Sequence, residues 1–318
     1  MRGNAAAAGR PLLVLTGPTG AGKSDWAVAL AEAAPVEIVS VDSAQVYRGL
    51  DIGTAKPGPG LRRRIPHHLV DVCDPAEAYS AGRFVGEALA AIDSIEARGR
   101  VPLLVGGTML YLRALLRGLA PLPPAVPAVR AELEARAAEQ GWPALHAELA
   151  RRDPAAAARI APADAQRIQR ALEVTYTTGV PISQLQQATA SPLAHRAVHL
   201  WMLAPADRPA LHQRLAARFE AMMAAGFLDE VRQLRDRGDL SAQLPAMRAV
   251  GYRQLWSHLA GEVSLELACQ QAVSATRQLA KRQLTWMRGE AAGTWIDPQA
   301  GPVSWIKDIR GRLGALGL

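Results

Sequence analysis

The chain has almost no cysteine. Its two, Cys73 and Cys269, lie far apart and match no metal-ligand or redox spacing. It also lacks any apolar run near the ~20 residues needed to cross a bilayer. The Ala-rich opening, MRGNAAAAGRP, has no long apolar core of the kind a signal peptide carries, and is expected to be a frayed tail. There is no internal repeat, and no low-complexity tract beyond the alanines. These absences exclude membrane-spanning, disulfide-stapled and repeat classes. A soluble protein of a reducing cytoplasm is the reading they leave.

What is present is a globular composition, 49% hydrophobic and 20% charged over 318 residues. That length suffices for one large domain or two smaller ones. The formal charge of +7 suits a polyanionic partner such as nucleic acid, although a basic surface with no specific purpose reads the same way.

The sharpest motif is GPTGAGKS, Gly17 to Ser24, directly after the apolar run PLLVLT. It fits the P-loop pattern G-x-x-x-x-G-K-[ST] without mismatch. In such a loop, Gly17, Pro18, Thr19, Gly20, Ala21 and Gly22 supply backbone that cradles phosphate. Lys23 adds a positive charge, and Ser24 is suited to ligate Mg²⁺. ATP is the usual occupant, and nucleotide binding is implied by this motif alone.

Short apolar runs alternate with helical patterns through the first third. Strands are expected at 11–17, 36–43, 68–72 and 101–107. Ser80 should cap a helix ending at Gly99, and another helix should follow Thr108. After the Pro-rich stretch GLAPLPPAVP the pattern becomes purely helical. Four helices are expected there, with Asp153 and Asp164 as N-caps, Pro154 at a first position and Gly179 as terminator. The run AVHLWMLAP at 197–205 resumes the sheet, and helices follow at 209–225, 227–237 and about 264–288. The expected fold is therefore α/β: a P-loop NTPase-like parallel sheet with helices on both faces, plus an all-helical insertion domain. The core should comprise residues 10–120 and 195–318, and the insertion 121–194.

In sheets of this kind ligands sit beyond the carboxyl ends of the strands. An ATP-using P-loop protein usually has an acid there to organise Mg²⁺. Here VPLLV is followed by Gly106, Gly107 and Thr108, a hydroxyl in place of a carboxylate. Asp42 directly follows the second strand and should face the phosphate. Asp71 reads better as a satisfied loop carboxylate. A carboxylate beside a bound diphosphate suggests a base that takes a proton from a nucleophile while the diphosphate leaves.

Longer blocks carry a resemblance: SVDSAQVYRGLDIGTAKP, PHHLVD, YSAGRF, VGGTMLYLRALLRGL, QRIQRALEV, MRAVGYRQLW and TRQLAKRQLTW. Together with the P-loop they make the chain, from about residue 11 to 297, similar to the bacterial tRNA dimethylallyltransferases, also called tRNA isopentenyltransferases. The resemblance implies transfer of a dimethylallyl group from its diphosphate to N6 of the adenosine on the 3′ side of the anticodon, with Mg²⁺. The tRNA anticodon arm and dimethylallyl diphosphate would be the partners of a cytoplasmic monomer, with no membrane involved.

By the same resemblance Asp42 is the general base, and Thr108 contacts the leaving diphosphate or the base. Lys23 and Arg218 attend the diphosphate. Ser43, Ala44 and Gln45 meet the target base. Arg130 and the run Gln166, Arg167, Ile168, Gln169 and Arg170 bind tRNA from the insertion. Arg248, Gly251, Tyr252 and Arg253 do so from the core, as do Arg277, Lys281, Arg282 and Arg288. Arg277, Lys281 and Arg288 share one helix face, which also reads as a solvated stripe. Trp201, Trp256 and Trp286 read as core. The rivals are an adenylate prenyltransferase, a P-loop small-molecule kinase, and an RNA-binding protein that keeps a structural P-loop. The large insertion and the basic helix weigh against the first, and the intact Asp42 and Thr108 against the last; the kinase would need the Thr108 site to stand in for the missing acid.

Overall fold

A computed structural model describes residues 9–187, 189–290 and 292–315. The expected frayed tail falls mostly at residues 1–8, outside the described residues. The chain divides into two compact units, Met1–Ala114 with His195–Leu318, and Leu115–Ala194.

The first unit is built on six parallel strands: β1 (Gly9–Thr16), β2 (Val36–Val41), β3 (His67–His68), β4 (Val101–Gly106), β5 (Arg196–Leu203) and β6 (Thr294–Ile296). Their order is β3-β2-β4-β1-β5-β6. Such a sheet must be covered on both faces, and its strands accordingly read as continuous apolar runs. Leu13, Leu15, Ile38, Leu103, Val105 and Leu203 pack on one face with Trp26 and Leu30 of the P-loop helix (Lys23–Ala33). The alternate residues Leu12, Val14, Val39, Val41, Leu104 and Met202 are equally buried. Helix Ala81–Ala97 packs against β2 and β4. Its own buried residues, Phe84, Ala88, Ile92 and Ile95, stay out of the first cluster, so it covers the second face. Ser80 caps this helix by accepting the Arg83 amide at 3.1 Å.

Three sequence expectations need correction. The strand expected at 68–72 stops at His68, because Leu69 (φ 61°) and Asp71 (φ 59°) turn left-handed and leave the sheet. The Asp71 carboxylate is then held by Lys56 at 2.6 Å and Arg62 at 2.7 Å, a satisfied loop acid. Beyond the last expected helix, the C-terminal region supplies β6 and helix Val303–Ala315. Trp305 of that helix packs 5.5 Å from Trp26 and 5.8 Å from Trp201. Of the three tryptophans read as core, Trp201 is buried, whereas Trp256 and Trp286 are half-buried.

The second unit is helical throughout its described residues, with helices Pro127–Gln140, Trp142–Arg152, Pro154–Ala157, Ala165–Thr178 and Ile182–Leu185. Leu133, Leu145, Leu149, Ile168 and Leu172 form its core. Asp153 caps the Ala156 amide at 2.9 Å and also accepts the Ser183 hydroxyl at 2.6 Å, which anchors the short last helix that the sequence did not suggest. The third helix ends early, where the imidazole of His146 donates to the carbonyls of Ala157 and Ile160. At the neck of the unit Gly118 (φ 85°) runs against the Ala190 carbonyl, 2.2 Å from where a Cβ would stand. No other residue type fits there.

Candidate active site

Strand register sets the site. Thr16 of β1 and Val41 of β2 both lie beside Gly106 of β4. The residues that leave the sheet next, Gly17, Asp42 and Gly107, therefore emerge at one level on the carboxyl edge. They open into a cavity of about 900 Å³ whose lining includes Lys23, Ser24, Asp42, Gln45, Thr108 and Arg218. Val28, Ile38, Leu61 and Val105 give it one apolar wall, and Leu215, Phe219, Met222 and Leu279 another.

The Lys23 ammonium donates to the carbonyls of Gly17 and Pro18, both at 2.9 Å. Burial pushes its pKa down to about 8, with Asp42 opposing the shift and Arg218 adding to it. Arg218 is lowered by the same cause, while Asp42 and Asp25 pull it back up. The site thus holds two desolvated cations, Lys23 and Arg218, whose charge an entering polyanion would stabilise. Arg214, one helical turn before Arg218, donates instead to the Gly20 carbonyl at 3.2 Å. The Ser24 hydroxyl makes no hydrogen bond to a described residue.

Asp42 caps its own turn. Its Oδ1 accepts the amides of Ala44 at 2.8 Å and Gln45 at 3.1 Å, and its Oδ2 accepts none among the described residues. Thr108 Oγ1 accepts the Ser43 amide at 3.0 Å and donates to Ser43 Oγ at 3.3 Å, which ties the two turns together. Gln45 is held from both ends. Ser40 Oγ donates to its Oε1 at 3.1 Å, and its Nε2 donates to the Thr54 carbonyl at 3.2 Å.

Two positioning residues were not singled out from the sequence. Gln283, buried on the long helix Leu265–Met287, accepts the Thr19 amide with Oε1 and donates from Nε2 to the Gly107 carbonyl, both at 2.8 Å. It joins the P-loop to the turn that carries Thr108. A Cβ at Gly107 would stand 2.4 Å from that Nε2, so the amide and the glycine require each other. Glu230 accepts the amides of Asp51, Ile52 and Gly53 and the Tyr252 hydroxyl, and so shapes the loop beyond Gln45.

The expected RNA-contact residues fall into several distinct environments. Arg248 and Arg282 line the cavity, while Arg253, Arg277 and Lys281 are exposed away from its lining. Arg288 lines a separate groove. In the helical unit Gln166 and Arg167 are exposed, but Arg130 and Arg170 both grip the fully buried Glu173, at 2.8 and 2.6 Å. Gln169 donates to the Arg130 carbonyl and to Glu134. Ile168 needs correction as an RNA contact, whereas Tyr252, though buried, lines the cavity. Ile168 is buried with Ala171 and Leu172, three and four residues on, which share its helix face. Tyr252 is fully buried against Phe227, and Gly251 lies beneath the same ring.

Among the described residues no group of three or more His, Cys, Asp or Glu side chains is placed to hold a metal. No helix among them is long and apolar enough to cross a membrane.

The family of IPP transferases matches residues 45–290, and that of isopentenyl transferases matches residues 11–62. The chain is 60% identical to a tRNA dimethylallyltransferase of Bordetella petrii, covering 92% of this chain and 94% of that one. It is 55% identical to one of Methylococcus capsulatus, covering 95% and 98%. Among solved structures, the tRNA isopentenylpyrophosphate transferase of Bacillus halodurans superposes with a TM-score of 0.70 at 37% identity, covering 96% of this chain and 97% of that chain. A eukaryotic dimethylallyltransferase acting on tRNA gives 0.75 at 28% identity, covering 91% and 74%.

Proposed function

The chain belongs to the IPP transferase family, the tRNA dimethylallyltransferases, and from that premise we propose that it moves a dimethylallyl group from dimethylallyl diphosphate to N6 of the tRNA adenosine on the 3′ side of the anticodon. The observation that carries the reading is the common level of Gly17, Asp42 and Gly107 around one cavity, with Thr108 where a triphosphate-splitting site would have an acid. Nothing in this chemistry requires a water aimed at phosphorus.

Negative charge grows on the departing diphosphate. P-loop amides, Lys23 and Arg218 stabilise it as it develops. Asp42 takes the proton that the exocyclic amine sheds as its nitrogen bonds to carbon, a role worth ~10²–10⁴ in rate. Thr108 and Ser43 hold the Asp42 turn in register, and an apolar wall of the cavity receives the five-carbon tail.

Mg²⁺ fits this donor set. It tolerates a single protein hydroxyl when substrate phosphate and water complete its shell, and Ser24 offers such a hydroxyl. When bound it neutralises charge on the diphosphate.

The adenine must leave its stack to enter, at a cost of a few kcal/mol. Arg248 and Arg282 at the cavity, with Arg253, Arg277, Lys281, Gln166 and Arg167, supply contacts that offset it. Arg130 and Arg170 serve instead to hold the helical unit in shape. The protein works as a cytoplasmic monomer.

The test incubates the protein with Mg²⁺, unmodified tRNA and either dimethylallyl diphosphate or ATP, then weighs the digested nucleosides. One adenosine should gain a five-carbon unit with the prenyl donor only. Absence of that mass, or phosphorylation in the ATP arm, overturns the reading.

A further inference from the structure

A second groove, of about 350 Å³, lies on the same edge of the sheet as the reaction cavity and shares no lining residue with it. Ala204, Pro205 and Ala206, which follow β5, form part of it, as do Trp295, Ile296 and Asp297 at the end of β6. Register explains the placement. Leu203 pairs with Ile296, so both strands run out together. Leu284 and Arg288, at the end of the long helix, and Arg208 close its sides.

Three features of the groove have no structural employment. Trp295 is 48% exposed, although tryptophan in a fold of this size normally buries its ring. Arg208 and Arg288 are exposed, and the side chain of neither makes a hydrogen bond or ion pair with a described residue. The one acid present, Asp297, already accepts the Gln299 amide at 2.9 Å. An open indole and two uncommitted guanidiniums in one groove offer a stacking face and charge for phosphate, beside the apolar Pro205, Leu284 and Ile296.

We propose that this groove is an accessory RNA-docking site, in which a nucleotide of the substrate other than the target adenine stacks on Trp295 while its phosphates meet Arg208 and Arg288. The proposal rests on the tRNA reading above. Two observations single out RNA as the occupant. The sign of the groove matches a polyanion, on a chain of net charge +7. The groove also continues the reaction cavity along one helix: Arg282 lines the cavity and Arg288 the groove, ~9 Å further along the axis. A strand whose adenine is flipped into the cavity therefore passes within reach of Trp295. The contact supplies part of the energy that flipping costs.

The test uses the full chain and unmodified tRNA. Trp295→Ala should weaken tRNA binding ~5- to 100-fold, the range expected for one lost base stack. Trp295→Phe should recover most of that loss. The doubly substituted Arg208→Ala, Arg288→Ala protein should lower the slope of log Kd against log salt by ~2. KM for dimethylallyl diphosphate, and the single-turnover rate at saturating tRNA, should stay within about two-fold in Trp295→Ala. Wild-type binding and salt slope in these variants overturn the proposal, as does a change in sedimentation coefficient that reveals a second copy on this face. If Trp295→Ala fails to fold, Trp295→Leu with the arginine pair intact carries the same binding test. Wild-type protein that binds tRNA through the groove but adds no five-carbon unit overturns the functional reading alone.

Discussion

Replacing Gln283 by leucine removes a strut of near-equal volume and leaves its two partners behind. The Thr19 amide and the Gly107 carbonyl each lose a 2.8 Å hydrogen bond in a partly buried setting, which makes the full cost of burial an upper bound. An unpaired buried backbone group costs ~1–3 kcal/mol, so the pair costs ~2–6 kcal/mol if nothing moves. In a chain of this length that lowers Tm by roughly 3–9 °C. If the loops shift instead to reach water, the stability loss shrinks and the catalytic geometry carries the damage. A displacement of ~1 Å between the phosphate cradle and the Thr108 turn costs ~10²-fold in rate. Single-turnover kinetics with varied dimethylallyl diphosphate should show kcat/KM down ~100-fold, with tRNA Kd changed less than ~3-fold. Gln283→Glu supplies a control that a merely structural role would not move. Its carboxylate still accepts from Thr19 but sets an oxygen against the Gly107 carbonyl, and only the protonated acid donates there. Activity of Gln283→Glu should therefore rise relative to wild type as pH falls. A Gln283→Leu protein with donor kcat/KM within ~3-fold of wild type refutes the strut.

Three further outcomes follow from the site. Asp42→Asn should lose at least ~100-fold in turnover with tRNA binding within a few-fold, and near-normal turnover in a quenched-flow assay removes Asp42 from the base role. Burial lowers Lys23 to about pKa 8, so its cation is lost as pH rises through that value in the free protein. Donor kcat/KM should accordingly fall above about pH 8, while kcat, governed by the complex in which the diphosphate holds the proton on, falls much less; a pH profile with equal losses contradicts this. Lys281→Ala should weaken tRNA binding and flatten its salt dependence with no change in donor KM, and an unchanged slope returns that exposed helix face to ordinary solvation.

The parts of the molecule legible in the sequence are those whose signal is contiguous. The P-loop is eight adjacent residues, Asp42 follows a β-branched run, and Asp153, Asp164 and Ser80 cap helices whose patterns begin beside them. What stayed hidden depends on a partner distant in the chain. Arg130 and Arg170 look like free cations until Glu173 is seen between them, 43 residues from the first and three from the second. Gln283 reads as surface because a polar residue on a helix usually is. Its partners, Thr19 and Gly107, lie 264 and 176 residues away. β6 is three residues long, too short for alternation to register. A better signal stood beside it: Trp305, Ile309 and Leu313 recur at four-residue spacing, one helical stripe that the core claims.

The neck at Gly118 bears on how such a protein can be rebuilt. The segment leading into the helical unit is fastened to that unit's own buried Glu173, through the Val126 amide and, by way of Arg170, the Pro123 carbonyl. The segment leading out passes the same glycine at Ala190. A module whose two ends already touch closes its own loop before it is spliced into anything. It is therefore transplantable: a shorter, longer or foreign helical unit cut just outside Gly118 and Ala190 asks the host sheet to span no new distance, and the unit can be exchanged while the sheet and its cavity are left as they are.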